Sequence, residues 1–95
     1  MKQYFVYILT NKHNGTLYVG FTSDLPKRIW EHKNKVADGF TKKHGLQNLV
    51  YYEIFETPET AIHREKRLKK YTRAAKIKLI EKDNKNWNDL YDSLR

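Results

Sequence analysis

The sequence predicts an α+β domain whose elements run in the order β-β-α-β-α-α-α. Two observations carry that expectation. Runs rich in Val, Ile, Tyr and Phe occur at residues 3–10, 16–22 and 49–55, and an Asn14-Gly15 turn signal separates the first two. Helix-start signals follow the second and third runs: Ser23 and Asp24 with Pro26, then Thr57 with Pro58 and Glu59. Each combines a side chain able to accept from an orphan N–H with a proline suited to the first helical turn.

The first strand is apolar on both alternating sets, Tyr4, Val6 and Ile8 on one and Phe5, Tyr7 and Leu9 on the other. Both of its faces must be covered, so it belongs in the middle of a sheet. Residues 16–22 return as its partner, with Leu17, Val19 and Phe21 on one face and Tyr18 on the other. Pairing Thr10 with Gly15 sets Tyr7 opposite Tyr18, on a shared face. The first helix is expected over residues 25–35, with Arg28 and His32 projecting from one side at i and i+4. Residues 36–47 hold Gly39, Lys42, Lys43, His44 and Gly45 and read as a basic loop before the third strand, "LVYYEIF". A second helix runs from Thr57-Pro58 to about Tyr71, and Thr72 caps a third over residues 73–82. Trp87, Leu90, Tyr91 and Leu94 have the i, i+3, i+4, i+7 spacing of a final amphipathic helix, with Asn84 before it as a cap or turn residue.

The chain, residues 1–95, reads as one domain with a modest core, since size scaling buries only about 60–65% of the surface of so short a chain. Cysteine is absent, which excludes zinc ribbons, thiol nucleophiles and disulfide staples. The apolar run at residues 4–9 is about a third of a membrane span and too short for a signal sequence. A soluble, cytoplasmic protein is expected. Nineteen Lys and Arg against eleven Asp and Glu leave a net charge of +8, a field that attracts polyanions. Nucleic acid leads among the partners, although an anionic membrane surface or an acidic protein responds to the same charge.

In the second helix the apolar positions are Ala61, Ile62, Leu68 and Tyr71, and at about 100° per residue both Arg64 and Glu65 fall inside their arc. A core-facing carboxylate without a partner costs several kcal/mol or takes up a proton. Glu65 therefore needs a cationic partner, a metal or an opening to water, and an ion pair with Arg64 or another arginine is the simplest of these. Taken singly, Tyr7 and Tyr18 fit packing residues with wet hydroxyls, Arg28 a solvated helix residue and His32 a satisfied hydrogen-bonding group.

Taken as a set, "VYI" at residues 6–8, "YVG" at residues 18–20, Arg28, His32 and Glu65 resemble the GIY-YIG nuclease superfamily. The segments "YFVYIL", "GTLYVGFTSDLPKRIWEHK", "LVYYEIF", "REKRLKKYTRAAKIKLI" and "NKNWNDLY" extend the similarity over most of the chain. Within the superfamily the chain is similar to small stand-alone bacterial members related to the nuclease domain of the excision-repair subunit UvrC. Val6 and Val19 depart from the glycine and isoleucine of the name motif. Phe21 stands where the excision-repair nucleases carry a lysine, a role open to Lys42 or Lys43.

The resemblance implies a three-stranded antiparallel sheet flanked by helices, with a turn at Gly20 feeding the first helix. It also implies a catalytic set of Tyr7, Tyr18, Arg28, His32, Glu65 and Asn84, with a divalent cation, Mg²⁺ or Mn²⁺, on Glu65. In that scheme Tyr18 is the general base toward water, and Tyr7 orients the water or shares its proton. Arg28 binds the scissile phosphate, and His32 assists proton transfer or orients Tyr18. The Glu65-bound cation stabilises the leaving oxygen, and Asn84 lies near the site in the "N-x-x-W" segment. A free tyrosine has a pKa of ~10, so unaided base action at pH 7 costs about 4 kcal/mol. The implied function is a metal-dependent endonuclease on DNA, branched or damaged DNA included, in repair or recombination, with RNA also allowed. Lys42, Lys43, Arg64 and Lys69 are the candidate nucleic-acid-binding cations, and a monomer is favoured. The alternative is a binding module of the same fold that cuts little; a carboxylate that repels phosphate favours the enzyme. A protein-interaction domain ranks third.

Overall fold

A computed structural model describes residues 2–36 and 39–94. The elements are β1 (Tyr4–Thr10), β2 (Leu17–Thr22), α1 (Leu25–Lys33), α2 (Phe40–His44), β3 (Asn48–Phe55), α3 (Pro58–Lys69), α4 (Arg73–Asp83) and a 3-10 turn at Tyr91–Leu94. The strands form an antiparallel sheet in the order β2-β1-β3, which puts the doubly apolar β1 in the middle. The α+β class and the sheet expected from the sequence are therefore present. On one face Val6, Ile8, Val19 and Val50 pack with Ala61 and Leu68 of α3, Ile80 of α4 and Trp87. On the other, Tyr7 and Leu9 pack with Leu25 and Ile29 of α1, Leu46 and Leu49. A register irregularity lets β3 serve both faces: Tyr51 pairs with Ile8 and Leu49 with Leu9, leaving Val50 as the extra residue.

The hairpin register differs from the expected one. Thr10 pairs with Leu17, Tyr7 with Gly20 and Leu9 with Tyr18. The connection is wider than an Asn-Gly turn because Asn14 takes the left-handed conformation (φ 57°), Gly15 N–H donates to the Lys12 carbonyl and Thr16 N–H donates to Asn11 Oδ1. The slip is an even number of residues, so Tyr7 and Tyr18 still share a face, now as a diagonal pair.

Three other expectations change. The stretch read as a basic loop contains the helical turn α2, closed at Gly45 in the left-handed region (φ 65°) with Leu46 N–H donating to the Thr41 carbonyl. Residues 37 and 38 of that stretch lie outside the described residues. The last amphipathic helix does not form: Trp87 has φ 57°, and only Tyr91–Leu94 is coiled, as a 3-10 turn. Its apolar residues serve different cores, Trp87 that of α3 and α4 and Leu90, Tyr91 and Leu94 that of α1. One helix stripe cannot face both. Ile62 is 37% exposed, so the buried arc of α3 is narrower than its composition suggests. No helix among the described residues is long and apolar enough to cross a membrane.

Candidate active site

Tyr7, Tyr18, Arg28, His32 and Glu65 line one cleft of about 270 Å³, together with Phe21, Phe40 and Thr41. Tyr18 and Phe21 have opposite parity on β2, so they leave opposite faces of the sheet. Because β2 is an edge strand, a cleft lined by both wraps the edge. There Glu65, from α3 on one face, meets Tyr7, Tyr18 and His32 from the other.

Gly20 lies within β2 and does not form the bend expected from the sequence. It stands opposite Tyr7, and a Cβ at that position would lie 2.5 Å from the Tyr7 hydroxyl oxygen. The missing side chain is what lets the Tyr7 ring cross β2. Tyr7 is 2% exposed and its hydroxyl bonds His32 Nε2 at 3.2 Å, while His32 Nδ1 bonds Thr41 Oγ1 at 3.2 Å. The His32 ring centroid is 5.9 Å from that of Tyr7 and 6.1 Å from that of Tyr18.

Burial pushes the Tyr7 hydroxyl well above the usual tyrosine range, with the neighbouring Tyr18 adding to the effect and Arg28 opposing it. Burial, then the Arg28 charge, holds the His32 imidazole below its usual range against the opposing pull of Glu31. The line Tyr7–His32–Thr41 is therefore neutral at pH 7. One ring nitrogen donates and the other accepts, and either hydroxyl partner can take the complementary part.

The charged groups lie nearer solvent. Arg28 Nη1 is 3.5 Å from Glu31 Oε1, a loose contact with the arginine side chain 42% exposed. Glu65 Oε2 is 3.2 Å from Lys69 Nζ, so its cationic partner is a lysine one turn along the helix and not the arginine that position suggested. The lysine side chain is 53% exposed and the glutamate 18%, so the pair opens to solvent at its lysine end, and an ion pair of this half-exposed kind contributes only about 1 kcal/mol.

Arg64, expected to bind nucleic acid, is committed elsewhere. Its Nε and Nη2 donate to Glu53 Oε1 and Oε2, both at 2.9 Å, and its Nη1 donates to the Tyr71 hydroxyl at 3.2 Å. The Tyr51 hydroxyl also donates to Glu53. Burial works to raise the Glu53 carboxyl, but these hydrogen bonds outweigh it and hold the group below its usual range. Arg64 thus ties α3 to β3. Asn84 is likewise outside the cleft: its Nδ2 donates to the carbonyls of Val50 (3.1 Å) and Asn88 (2.8 Å), and its Oδ1 accepts from Asn88 N–H (2.9 Å). It fastens the end of α4 to β3 and does not line the cleft that gathers the other five residues of the expected set. Lys42 and Lys43 are exposed on α2, and Lys69 stands beside Glu65.

Sequence reasoning missed two cleft residues, Phe40 and Thr41. The signal for Phe40 is an aromatic ring in an otherwise basic, polar stretch. Thr41 has no local signal, because its part depends on His32, which reaches it from another helix.

Among the described residues no group of three His, Cys, Asp or Glu side chains is placed to hold a metal. That donor set does not suit zinc, which takes at least three protein ligands. It does suit Mg²⁺, which keeps several waters, takes one or two carboxylates and completes its shell with substrate phosphate. Glu65 is the carboxylate that lines the cleft.

The description "GIY-YIG catalytic domain" matches residues 3–78. A UPF0213 protein of Staphylococcus saprophyticus is 39% identical over 80 residues, covering 84% of this chain and 96% of that protein. One of Staphylococcus epidermidis is 37% identical over 81 residues, covering 85% and 98%. The solution NMR structure of a UPF0213 protein from Bacillus halodurans superposes with a TM-score of 0.56 at 28% identity, over 92% of each chain. The matched residues include every side chain that lines the cleft, and the chain belongs to the GIY-YIG family.

Proposed function

We propose that this protein is a metal-dependent endonuclease that hydrolyses phosphodiester bonds in DNA. The observation that carries the reading is one cleft in which a neutral, buried Tyr7–His32–Thr41 line underlies the more exposed Tyr18, Arg28 and Glu65. Membership of a nuclease family supports the reaction class.

Phosphodiester hydrolysis requires an activated water, charge neutralisation at the phosphate and stabilisation of the leaving oxygen. Arg28 receives the scissile phosphate through its guanidinium fork. Tyr18, having given its own hydroxyl proton to solvent, acts as the phenolate that takes the proton of the attacking water. Tyr7 is the poorer base, because burial disfavours its phenolate, and its hydroxyl instead orients the reacting groups. His32, hydrogen-bonded on both ring nitrogens, sets the position of Tyr7 and packs against Tyr18. Glu65 would hold a divalent cation, Mg²⁺ or Mn²⁺, in exchange for Lys69. A cation bound there supplies Lewis-acid stabilisation of the leaving oxygen. Lys42, Lys43 and Lys69 contact the flanking phosphates.

The test is incubation with labelled duplex, single-stranded, flap and junction DNA, with Mg²⁺, Mn²⁺ or chelator, beside Tyr18→Phe, Arg28→Ala and Glu65→Ala. Cation-dependent nicking by the wild type, lost in all three variants, is expected. Equal nicking by wild type and variants would mark a contaminant and remove the assignment. Binding should fall with salt at a log–log slope of roughly −3.5 to −5.5 for about 4–6 phosphate contacts on duplex. The alternative, a nucleic-acid-binding domain with little cleavage, draws on Phe21, an apolar side chain in the cleft where the resembling excision-repair nucleases have a lysine. Binding of this salt dependence without nicking of any substrate would favour it.

A further inference from the structure

Phe40 is 48% exposed although it is a large apolar side chain, and it lies at the cleft beside Arg28 and Glu65. Rings surround it: its centroid is 4.3 Å from that of His44, tilted by 41°, and 6.5 Å from that of Tyr18 at an interplanar angle of 23°. Its position is set from below. Thr41, next in sequence and 5% exposed, hydrogen-bonds His32, and Leu46, 1% exposed, anchors the far end of α2. Lys42 and Lys43 stand exposed on the same helical turn. An aromatic face flanked by lysines, next to a cleft that presents an arginine, is the composition of surfaces that hold unpaired nucleotides, where bases stack on rings and cations follow the backbone. A paired base has its faces covered by its neighbours and gains nothing from such a ring.

We propose that Phe40, backed by His44, is a stacking platform for an unpaired DNA base adjacent to the scissile phosphate, so that the favoured substrate presents a single-stranded or extruded nucleotide at the cleft. The inference rests on the nuclease reading only for identifying the neighbouring cleft as the phosphate site. Flanking lysines and the adjacent arginine favour a nucleic acid over an apolar protein surface as the occupant.

The experiment measures binding in chelator, where no cleavage occurs, using a short single-stranded DNA carrying 2-aminopurine, the same strand with an abasic position, and the matching duplex. Phe40→Ala is expected to weaken single-strand binding by roughly 5- to 150-fold, the equivalent of one base–aromatic stack, with duplex binding changed much less. Phe40→Trp should retain binding and quench the 2-aminopurine. In the wild type the abasic strand should lose as much as Phe40→Ala does, and the two losses should not add. Phe40→Leu keeps apolar bulk without a ring and should resemble Phe40→Ala; it serves if the alanine variant melts early. Single-strand binding by Phe40→Leu equal to wild type, or equal losses on single strand and duplex, would overturn the platform. If the pattern holds but the wild type cuts none of these DNAs with Mg²⁺ or Mn²⁺, the nuclease reading fails and the platform stands.

Discussion

Replacing Gly20 with alanine should disable the cleft while leaving most of the fold in place. The added Cβ would lie 2.5 Å from the Tyr7 hydroxyl oxygen, so the two must separate by about 0.9 Å to reach ordinary contact at 3.4 Å. Tyr7 has little room to yield, being 2% exposed and packed among Leu9, Leu25 and Ile29. Its bond to His32, at 3.2 Å, is already near the long limit, and a displacement of that size along it opens the contact to about 4 Å. Overpacking costs ~1–3 kcal/mol and the lost hydrogen bond ~1 kcal/mol, so destabilisation by about 2–4 kcal/mol is expected. A shift of about 1 Å in a positioning group costs on the order of 100-fold in rate. Urea unfolding of Gly20→Ala, Tyr7→Leu and the double variant gives the first figure and single-turnover nicking the second. In the double variant the ring is gone, so the alanine should add little to the cost of Tyr7→Leu. Additive losses, or wild-type stability in Gly20→Ala, would refute the idea that this glycine exists to admit Tyr7.

Glu65→Gln keeps the size of the side chain and loses an ion pair whose lysine is 53% exposed, so stability should change by no more than ~1 kcal/mol; Mn²⁺ should raise the melting temperature of the wild type but not of the variant. A loss of several kcal/mol with no metal response in the wild type would instead make Glu65 a structural ion-pair residue. Asn84→Ala removes hydrogen bonds to the backbone of Val50 and Asn88 and should cost ~1–3 kcal/mol, with nicking per folded molecule unchanged. Selective loss of nicking at full stability would return Asn84 to the catalytic set. His32 is held below its unfolded value of 6.5, so the unfolded chain binds more protons as pH falls through that region. Its contribution is complete above about pH 6.5 and is lost progressively toward the depressed folded value. Urea titrations at about pH 5 and about pH 7.5 should show a smaller pH dependence in His32→Gln than in the wild type, and equal slopes would contradict the assignment.

Local chemistry was legible in the sequence because its partners lie within a turn or two of the chain. Asp24, Thr57 and Thr72 cap their helices by accepting from the N–H three residues on, as their side chains and the following residues indicate. The doubly apolar β1 could only be the central strand, and Arg28 and His32 share α1 with the spacing that brings both to the cleft. The resemblance brought Tyr7, Tyr18 and Glu65 to the same place, and the geometry gathers them there. What only the tertiary structure decided are the assignments whose partners are distant in sequence. Adjacent on one helix, Arg64 and Glu65 looked alike on the helical wheel, yet one turns to Glu53 on β3 and the other to the cleft at the sheet edge. Asn84 was placed near the chemistry by its motif, but its side chain is used by the Val50 carbonyl, 34 residues away. Gly20 reads as a bend until Tyr7 is seen across it, and Thr41 is silent until His32 arrives from α1. Periodicity records which side of an element is apolar; which polar group on that side meets which partner depends on register and on the packing of elements against one another.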